Sequence, residues 1–558
     1  MSQHQHHRQQ RHHHQRRLTA VAALAGALTL TVPSAVAAPV TSPAAGPAPA
    51  AADAAAITEA VSAERVMSHL EVFQGIATAN QGNRASGTPG YRASADYVVG
   101  RLRAAGYAPR VQKFTFPYFQ EAAPTKVVVP GPEGAPRTLT PAEALIMEYS
   151  GSGSVTAPVQ AVDTTGSREP STSGCEAEDF AGFTAGSVAL LQRGTCPFAQ
   201  KVDNAEAAGA SAVLIFNSGT EGNEGVVNGS LVTPEATTLP VVGLSYAAGT
   251  ALLAGGTVTV TTQVISENRE TYNVIAETAS GDAGNTVVVG AHLDSVLEGP
   301  GINDNGSGSA GILTIAEAMA GTTTANKVRF TWWGAEESGL LGSKHYVADL
   351  KTTSPAALED VALYLNFDMI GSPNYGRFVY DGDHSAFAPV KVPATPATPT
   401  TPGTPETTVT APAGSGAIEA AFHQYFGSVG LASGETQFSG RSDYGPFIAE
   451  GIPAGGLFTG AEGRKTVEQA ALFGGRAGIP YDLCYHQACD DISNVNSQGL
   501  DEMADAAAAV VVRFATSTHD VNGKGEPAAP QDPGATGQPG GQDQGQGLDH
   551  HAGDQPQG

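Results

Sequence analysis

Basic residues are scarce in this chain. It has 29 Lys and Arg against 54 Asp and Glu, a formal net charge of −25 over 558 residues. Such a deficit excludes nucleic acid as a partner, because phosphate binding needs clustered basic side chains. It suits a soluble extracellular enzyme. Long apolar runs are missing as well. The stretch 18–32 is too short to span a bilayer, and no later stretch is long and apolar enough, so no membrane partner is expected. Arg8, Arg11, Arg16 and Arg17 precede that stretch and Ala35-Val36-Ala37 follows it, so residues 1–37 read as a secretory signal peptide. Arg16-Arg17 leaves the twin-arginine export route open. Six of the 15 His lie in this leader and are expected to be discarded with it. Cysteine is limited to Cys175, Cys196, Cys484 and Cys489. Export permits disulfides. Three pairings are possible, and the local one, 175 with 196 and 484 with 489, is the simplest.

The length exceeds one ordinary domain. Residues 38–56 are Ala/Pro-rich and read as a linker or pro-segment. A helix over 57–79, a loop over 83–90, a helix over 91–105 and a strand over 111–116 open a first domain segment, 57–125. From 126 to 265 short β-like runs (127–129, 188–191, 212–216, 239–242) alternate with Gly/Thr-rich turns around one helix, 199–208. The acids there show no metal spacing, so this reads as a separate β-rich insert. Strands over 287–290, 327–333, 361–367 and 452–458 then alternate with helical stretches to residue 517. The pattern is α/β, a mostly parallel central sheet flanked by helices. Residues 389–414 are Pro/Thr-rich and read as an exposed loop. Residues 518–558, rich in Gly, Gln, Pro and Asp, read as a disordered tail.

Chemistry-bearing side chains gather where these strands end. His292 and Asp294 follow the apolar run Val287-Val288-Val289, and Asp304 sits in the Gly-rich turn before the next helix. Glu336 and Glu337 follow the strand 327–333, and Asp368 follows 361–367. His486 lies between Cys484 and Cys489. In open α/β sheets, sites form outside the carboxyl ends of the strands. Imidazoles and carboxylates converging there are the ligand set of a hydrolytic zinc site. Each residue alone has a plainer reading: an acidic turn, a helix cap, a loop histidine. Those readings do not explain why three strands of the region each lead into a zinc-competent side chain.

The stretch Arg193-Gly194-Thr195-Cys196-Pro197-Phe198, with the helix and the run 209–217 after it, resembles the protease-associated (PA) domain found inserted in secreted peptidases. The chain as a whole resembles the secreted di-zinc leucine aminopeptidases of streptomycete type. The resemblance rests on NRASGTPGY (83–91), GAHLDS (290–295), GINDNGSGSA (301–310), WWGAEESGLLGSKHYV (332–347), YLNFDMIGSPN (364–374), GRSDYGPF (440–447), GGLFTG (455–460) and CYHQACDDISN (484–494). It implies two zinc ions: one on His292 and Asp368, one on Glu337 and His486, with Asp304 bridging. It implies Glu336 as general base, Asp294 as the partner that orients His292, and Tyr485 as donor to the oxyanion. It implies Arg441 and Phe458 as substrate-site residues and a cis peptide bond at Asp304-Asn305. The resemblance also implies calcium at Asp501 and Asp505, but the third position falls near Ala60, which has no carboxylate, and calcium is therefore doubtful.

The expected function is removal of N-terminal, preferably large apolar, residues from peptides by a secreted monomer. Two alternatives remain open at this level: a related di-zinc carboxypeptidase, and a non-catalytic PA-domain receptor on a dead peptidase fold. Glutaminyl cyclase, which shares the fold, works with a single zinc.

Overall fold

The computed structural model describes residues 54–131, 135–392 and 407–527. The expected signal peptide, the linker up to residue 53, most of the Pro/Thr-rich loop and the tail from 528 lie outside the described residues.

Four parallel strands form the centre of the sheet: Ala454–Phe458, Val361–Phe367, Asp282–His292 and Asn326–Trp333, in that spatial order. Val361–Phe367 is buried throughout and Asp282–His292 is buried from Asn285 on, as befits strands covered on both faces, whereas Asn326–Trp333 alternates through Lys327 and Arg329 before its buried end. Helices Ala63–Ala79, Pro89–Ala104, Gly308–Ala318, Ser415–Ser428 and Ser497–Thr516 pack on one face. Helices Leu341–Thr353 and Tyr444–Ala449 pack on the other. The register aligns the strand ends: Trp333 lies opposite His292, and Asn366 lies opposite Gly290. Three strands therefore end level, and the residues just beyond them share one rim.

Two glycines are required beneath that rim. A Cβ on Gly290 would sit 2.3 Å from the Tyr364 hydroxyl, which is held by Trp333 Nε1 at 2.9 Å. A Cβ on Gly308 would sit 2.1 Å from the Phe367 carbonyl oxygen. Helix Gly308–Ala318 can therefore begin directly against the strand that ends before Asp368.

The strands Arg110–Pro130 and Thr257–Glu277 form a long antiparallel ribbon, with Arg110 opposite Ile275 and Val128 opposite Thr259. One end of Thr257–Glu277 pairs with Asn326–Trp333, the other with Gly153–Ala161. The expected limits 126 and 265 thus fall inside continuous strands, and the ribbon carries the inserted module. The module is α/β rather than purely β-rich: Val188–Gln192, Ala212–Phe216 and Val241–Leu244 are parallel, with helices Phe198–Ala207 and Tyr246–Ala251 alongside. A disulfide joins Cys175 to Cys196, 21 residues apart, and another joins Cys484 to Cys489. In the chain-entropy model the first closure is worth about 3 kcal/mol. Replacing Cys175 and Cys196 by Ser is expected to lower the melting temperature of the module; a melt identical to that of the parent protein would contradict this.

Three expectations are corrected. The helix over 57–79 is two helices, Ala54–Ala60 and Ala63–Ala79. Ser62 breaks it by adopting extended backbone and capping the second helix, and Asp501 accepts a bond from the Ala63 N–H at 2.8 Å. The tail starts later than residue 518. Thr518 is buried, Asn285 donates to its hydroxyl at 2.7 Å, and His519–Asn522 forms a helical turn against it. The described ends of the Pro/Thr-rich loop pair as a short hairpin, Val390–Val392 with Thr407–Val409. No helix among the described residues is long and apolar enough to cross a membrane.

Candidate active site

The strand ends bring His292, Asp304, Glu336, Glu337, Asp368 and His486 onto one wall of a cavity of about 640 Å³. His292 is buried at the end of its strand. Its Nε2 lies 3.2 Å from both Asp304 Oδ1 and Asp368 Oδ1, and 3.9 Å from Glu336 Oε2. Its Nδ1 is 3.1 Å from the Asp294 carbonyl oxygen and 3.8 Å from the Asp294 carboxylate. The main chain of Asp294 is thus the nearer partner, while its carboxylate accepts from the Glu336 N–H at 3.3 Å. On the other side, His486 Nε2 lies 3.2 Å from Asp304 Oδ2 and 3.1 Å from Glu337 Oε2. Asp304 thus offers one oxygen to each imidazole, and each imidazole has a second carboxylate of its own.

The backbone is bent to achieve this. The Asp304-Asn305 peptide is cis. Ala335, Met369 and His486 all have left-handed φ, at 54°, 54° and 56°. A left-handed φ costs free energy in residues with a side chain, and such residues gather at functional sites. Asn305 ties the bend to the sheet: its side chain donates to the Phe367 carbonyl at 2.9 Å and accepts from the Met369 N–H at 3.0 Å.

Electrostatically the cluster calls for positive charge. Burial, helped by the Asp304 charge, raises the Glu337 carboxyl above its ordinary value, and burial raises Glu336 well above it. Burial disfavours the charged imidazole of His486, but the bonds to Asp304 and Glu337 outweigh it and raise its pKa to about 10. Glu337 Oε1 is buried without any hydrogen-bond partner. The donor set is two imidazole nitrogens and carboxylate oxygens, which matches zinc better than magnesium. The residues therefore fit a pair of cations.

Arg441, Phe458 and Tyr485 reach the same cavity. Phe458 ends the fourth strand opposite Phe378. Arg441 donates to Glu462 Oε1 at 2.6 Å and to the Tyr485 hydroxyl at 3.1 Å. The Tyr485 ring stacks on the His486 ring at 3.8 Å. Asp501 and Asp505 belong to no ligating group of three among the described residues, and Asp501 is taken up by the Ala63 N–H. Asp381 and Glu419 form a separate acidic group at the sheet edge, where they accept the main-chain N–H groups of Phe387 and Gly382 and so anchor a loop.

Several supporting residues carried no local signal. Arg84, buried beneath the site, donates to the carbonyls of Leu293, Pro300 and Gly301. Asp490 accepts from the N–H groups of Asn303 and Asp304 at 2.9 and 3.0 Å. Ser442 donates to Asp368 Oδ2 at 2.6 Å. Asp443 precedes helix Tyr444–Ala449 without capping it; both its oxygens are buried and unpaired, and burial pushes its pKa up to about 7. Arg84, Ser442 and Asp490 all lie inside the quoted motifs, which is the only trace they leave in the sequence.

Residues 273–511 match peptidase family M28, and residues 155–252 match the PA domain. An aminopeptidase of Pseudomonas aeruginosa is 45% identical over 471 residues, covering 84% of this chain and 83% of its own. The chain belongs to peptidase family M28. Its catalytic chemistry is hydrolysis of peptide bonds, and it carries a PA domain. A probable leucine aminopeptidase 2 of Arthroderma benhamiae is 38% identical over 477 residues, covering 84% of this chain and 87% of that one. Among solved structures, the aminopeptidase from Aneurinibacillus sp. strain AM-1 superposes with a TM-score of 0.60 at 26% identity, over 86% of this chain and 99% of that one.

Proposed function

We propose that this M28 peptidase is a secreted zinc aminopeptidase that removes large apolar, Leu-like residues from the N-terminus of peptides. The observation that carries the reading is Asp304, whose two carboxylate oxygens each lie 3.2 Å from a different imidazole. In this reading His292 and Asp368 would hold one zinc and Glu337 and His486 the other, with Asp304 shared between the two groups. Two zinc ions so held would supply Lewis acidity and lower the pKa of water to about 7. Glu336 Oε2, free of ligation, accepts the proton of the attacking water and returns it to the leaving amine. The Tyr485 oxygen already accepts from Arg441, so its own hydrogen is free to turn toward the developing oxyanion.

The choice of peptide end follows from charge. Glu336, Glu337, Asp304 and Asp368 crowd the cavity, and carboxylate edges left over from ligation suit an α-ammonium. A terminal carboxylate would need a free cation. Of the lining cations, Lys344 donates to the Gly339 carbonyl at 2.9 Å and Arg441 is paired with Glu462. Phe378 and Phe458 give the cavity an apolar side for the first residue, which supports Leu over smaller side chains by about 1–3 kcal/mol per methylene. The leader and the two disulfides support export.

The test is metal content measured on active protein. Two zinc ions per chain are expected, with activity abolished by chelation and restored by zinc. One ion or none in fully active protein would overturn the two-metal reading.

A further inference from the structure

From the contacts of Arg441 we infer that Glu462 is a positioning residue that holds Arg441 on Tyr485 and keeps it from binding a substrate carboxylate. The inference deepens the zinc aminopeptidase reading and rests on it. Glu462 stands in the loop that leaves the strand ending at Phe458, and it lines the same cavity. One Arg441 amino group donates to Glu462 Oε1 at 2.6 Å, the other to the Tyr485 hydroxyl at 3.1 Å. The series continues, because the Tyr485 ring stacks on the His486 ring and His486 faces Asp304 and Glu337.

Both members of the Arg441–Glu462 pair are about half exposed, with side-chain exposures of 47% and 53%. An ion pair so open to water adds little to fold stability. Its effect is therefore geometric. An arginine side chain has many rotamers, and an unrestrained one at a cavity wall samples several of them. Glu462 selects the rotamer in which the guanidinium donates to the Tyr485 oxygen. That donation occupies a lone pair of the phenol and leaves the phenol hydrogen free for the cavity. The same contact blocks a second use of Arg441. A guanidinium is a ready partner for a carboxylate, and Glu462 and the Tyr485 hydroxyl already occupy its two amino groups. Without Glu462, Arg441 becomes the free cation that a cleft selective for the N-terminus must not present.

The experiment compares the full-length zinc-loaded protein with Glu462→Ala, Arg441→Gln and the double variant. The substrates are a leucyl anilide, Leu-Gly and Leu-Gly amide, and the affinity of a leucine boronic acid, which mimics the tetrahedral state, is measured in parallel. Glu462→Ala is expected to lower kcat on the anilide about tenfold, less than the 10²–10³-fold of losing an oxyanion donor outright. KM should change by less than about twofold, the sign of an interaction made in the transition state. Boronate affinity should fall with kcat, and the preference for Leu-Gly over its amide should rise. In the Arg441→Gln background Glu462→Ala should add nothing, as a role exercised through Arg441 requires. Unchanged kcat and boronate affinity, or an equal further loss in the Arg441→Gln background, would overturn the inference. The parent protein reports on the underlying reading separately: if it fails to release leucine from all three substrates, the aminopeptidase reading fails rather than the role of Glu462.

Discussion

Replacing Glu336 by Gln is expected to lower kcat by about 10²–10⁴-fold while both zinc ions stay bound. Gln keeps the size of the side chain and its hydrogen bonding but cannot accept a proton. The neighbouring change, Glu337→Gln, is expected to weaken metal binding first, with activity lost as a consequence. The two carboxylates are adjacent in sequence yet face different partners. Ala335, with its left-handed φ, turns the chain just after Trp333, and Leu340 and Leu341 N–H groups then close the turn onto the carbonyls of Glu336 and Ala335. Glu337 Oε2 is thereby brought 3.1 Å from His486, whereas Glu336 has no polar contact closer than 3.9 Å to either imidazole. Burial raises the Glu336 carboxyl, which suits a group that must gain a proton and then release it. Activity and zinc content measured on the same two preparations decide the matter. If both variants lose metal alike, or both keep it, the division of labour between the carboxylates is wrong.

The site was legible in the sequence because its residues sit at interruptions of strong patterns. His292 ends one strand, Asp368 directly follows another, Glu336 comes three residues after a third, and level register turns the three strand ends into one rim. Asp304 and His486 were marked by glycine-rich and cysteine-flanked turns. What escaped depends on contacts between distant parts of the chain. Arg84 reads as a loop residue until it is seen to bind the carbonyls of Pro300 and Gly301, over 200 positions away. Ser442 and Asp490 support the site through side-chain bonds that have no periodicity to betray them. The break at Ser62 was missed for a related reason. Ala, Glu and Val continue the helical pattern across it, and the Ser62 cap is joined there by Asp501, from the distant helix Ser497–Thr516, on the first N–H of the second helix. The insert was recognisable by composition, but its limits were not, since the ribbon Arg110–Pro130 with Thr257–Glu277 runs through both with no change of secondary structure.

Acetylation of the substrate N-terminus is expected to have the largest effect of all. An acetylated peptide has lost the ammonium, so the carboxylate edges in the cavity keep their charge without a partner while the acyl group takes up their space. A site built to hydrogen-bond one group rejects an analogue lacking it by about 10⁴-fold or more. The C-terminus faces no comparable demand, because Lys344 and Arg441 are both engaged within the protein. The deciding measurement is therefore the cleavage rate of one Leu-initiated peptide in four forms, with the N-terminus free or acetylated and the C-terminus free or amidated. The account predicts that acetylation stops cleavage and amidation leaves it nearly unchanged. Cleavage that survives acetylation and is stopped by amidation would contradict it and make the protein a carboxypeptidase.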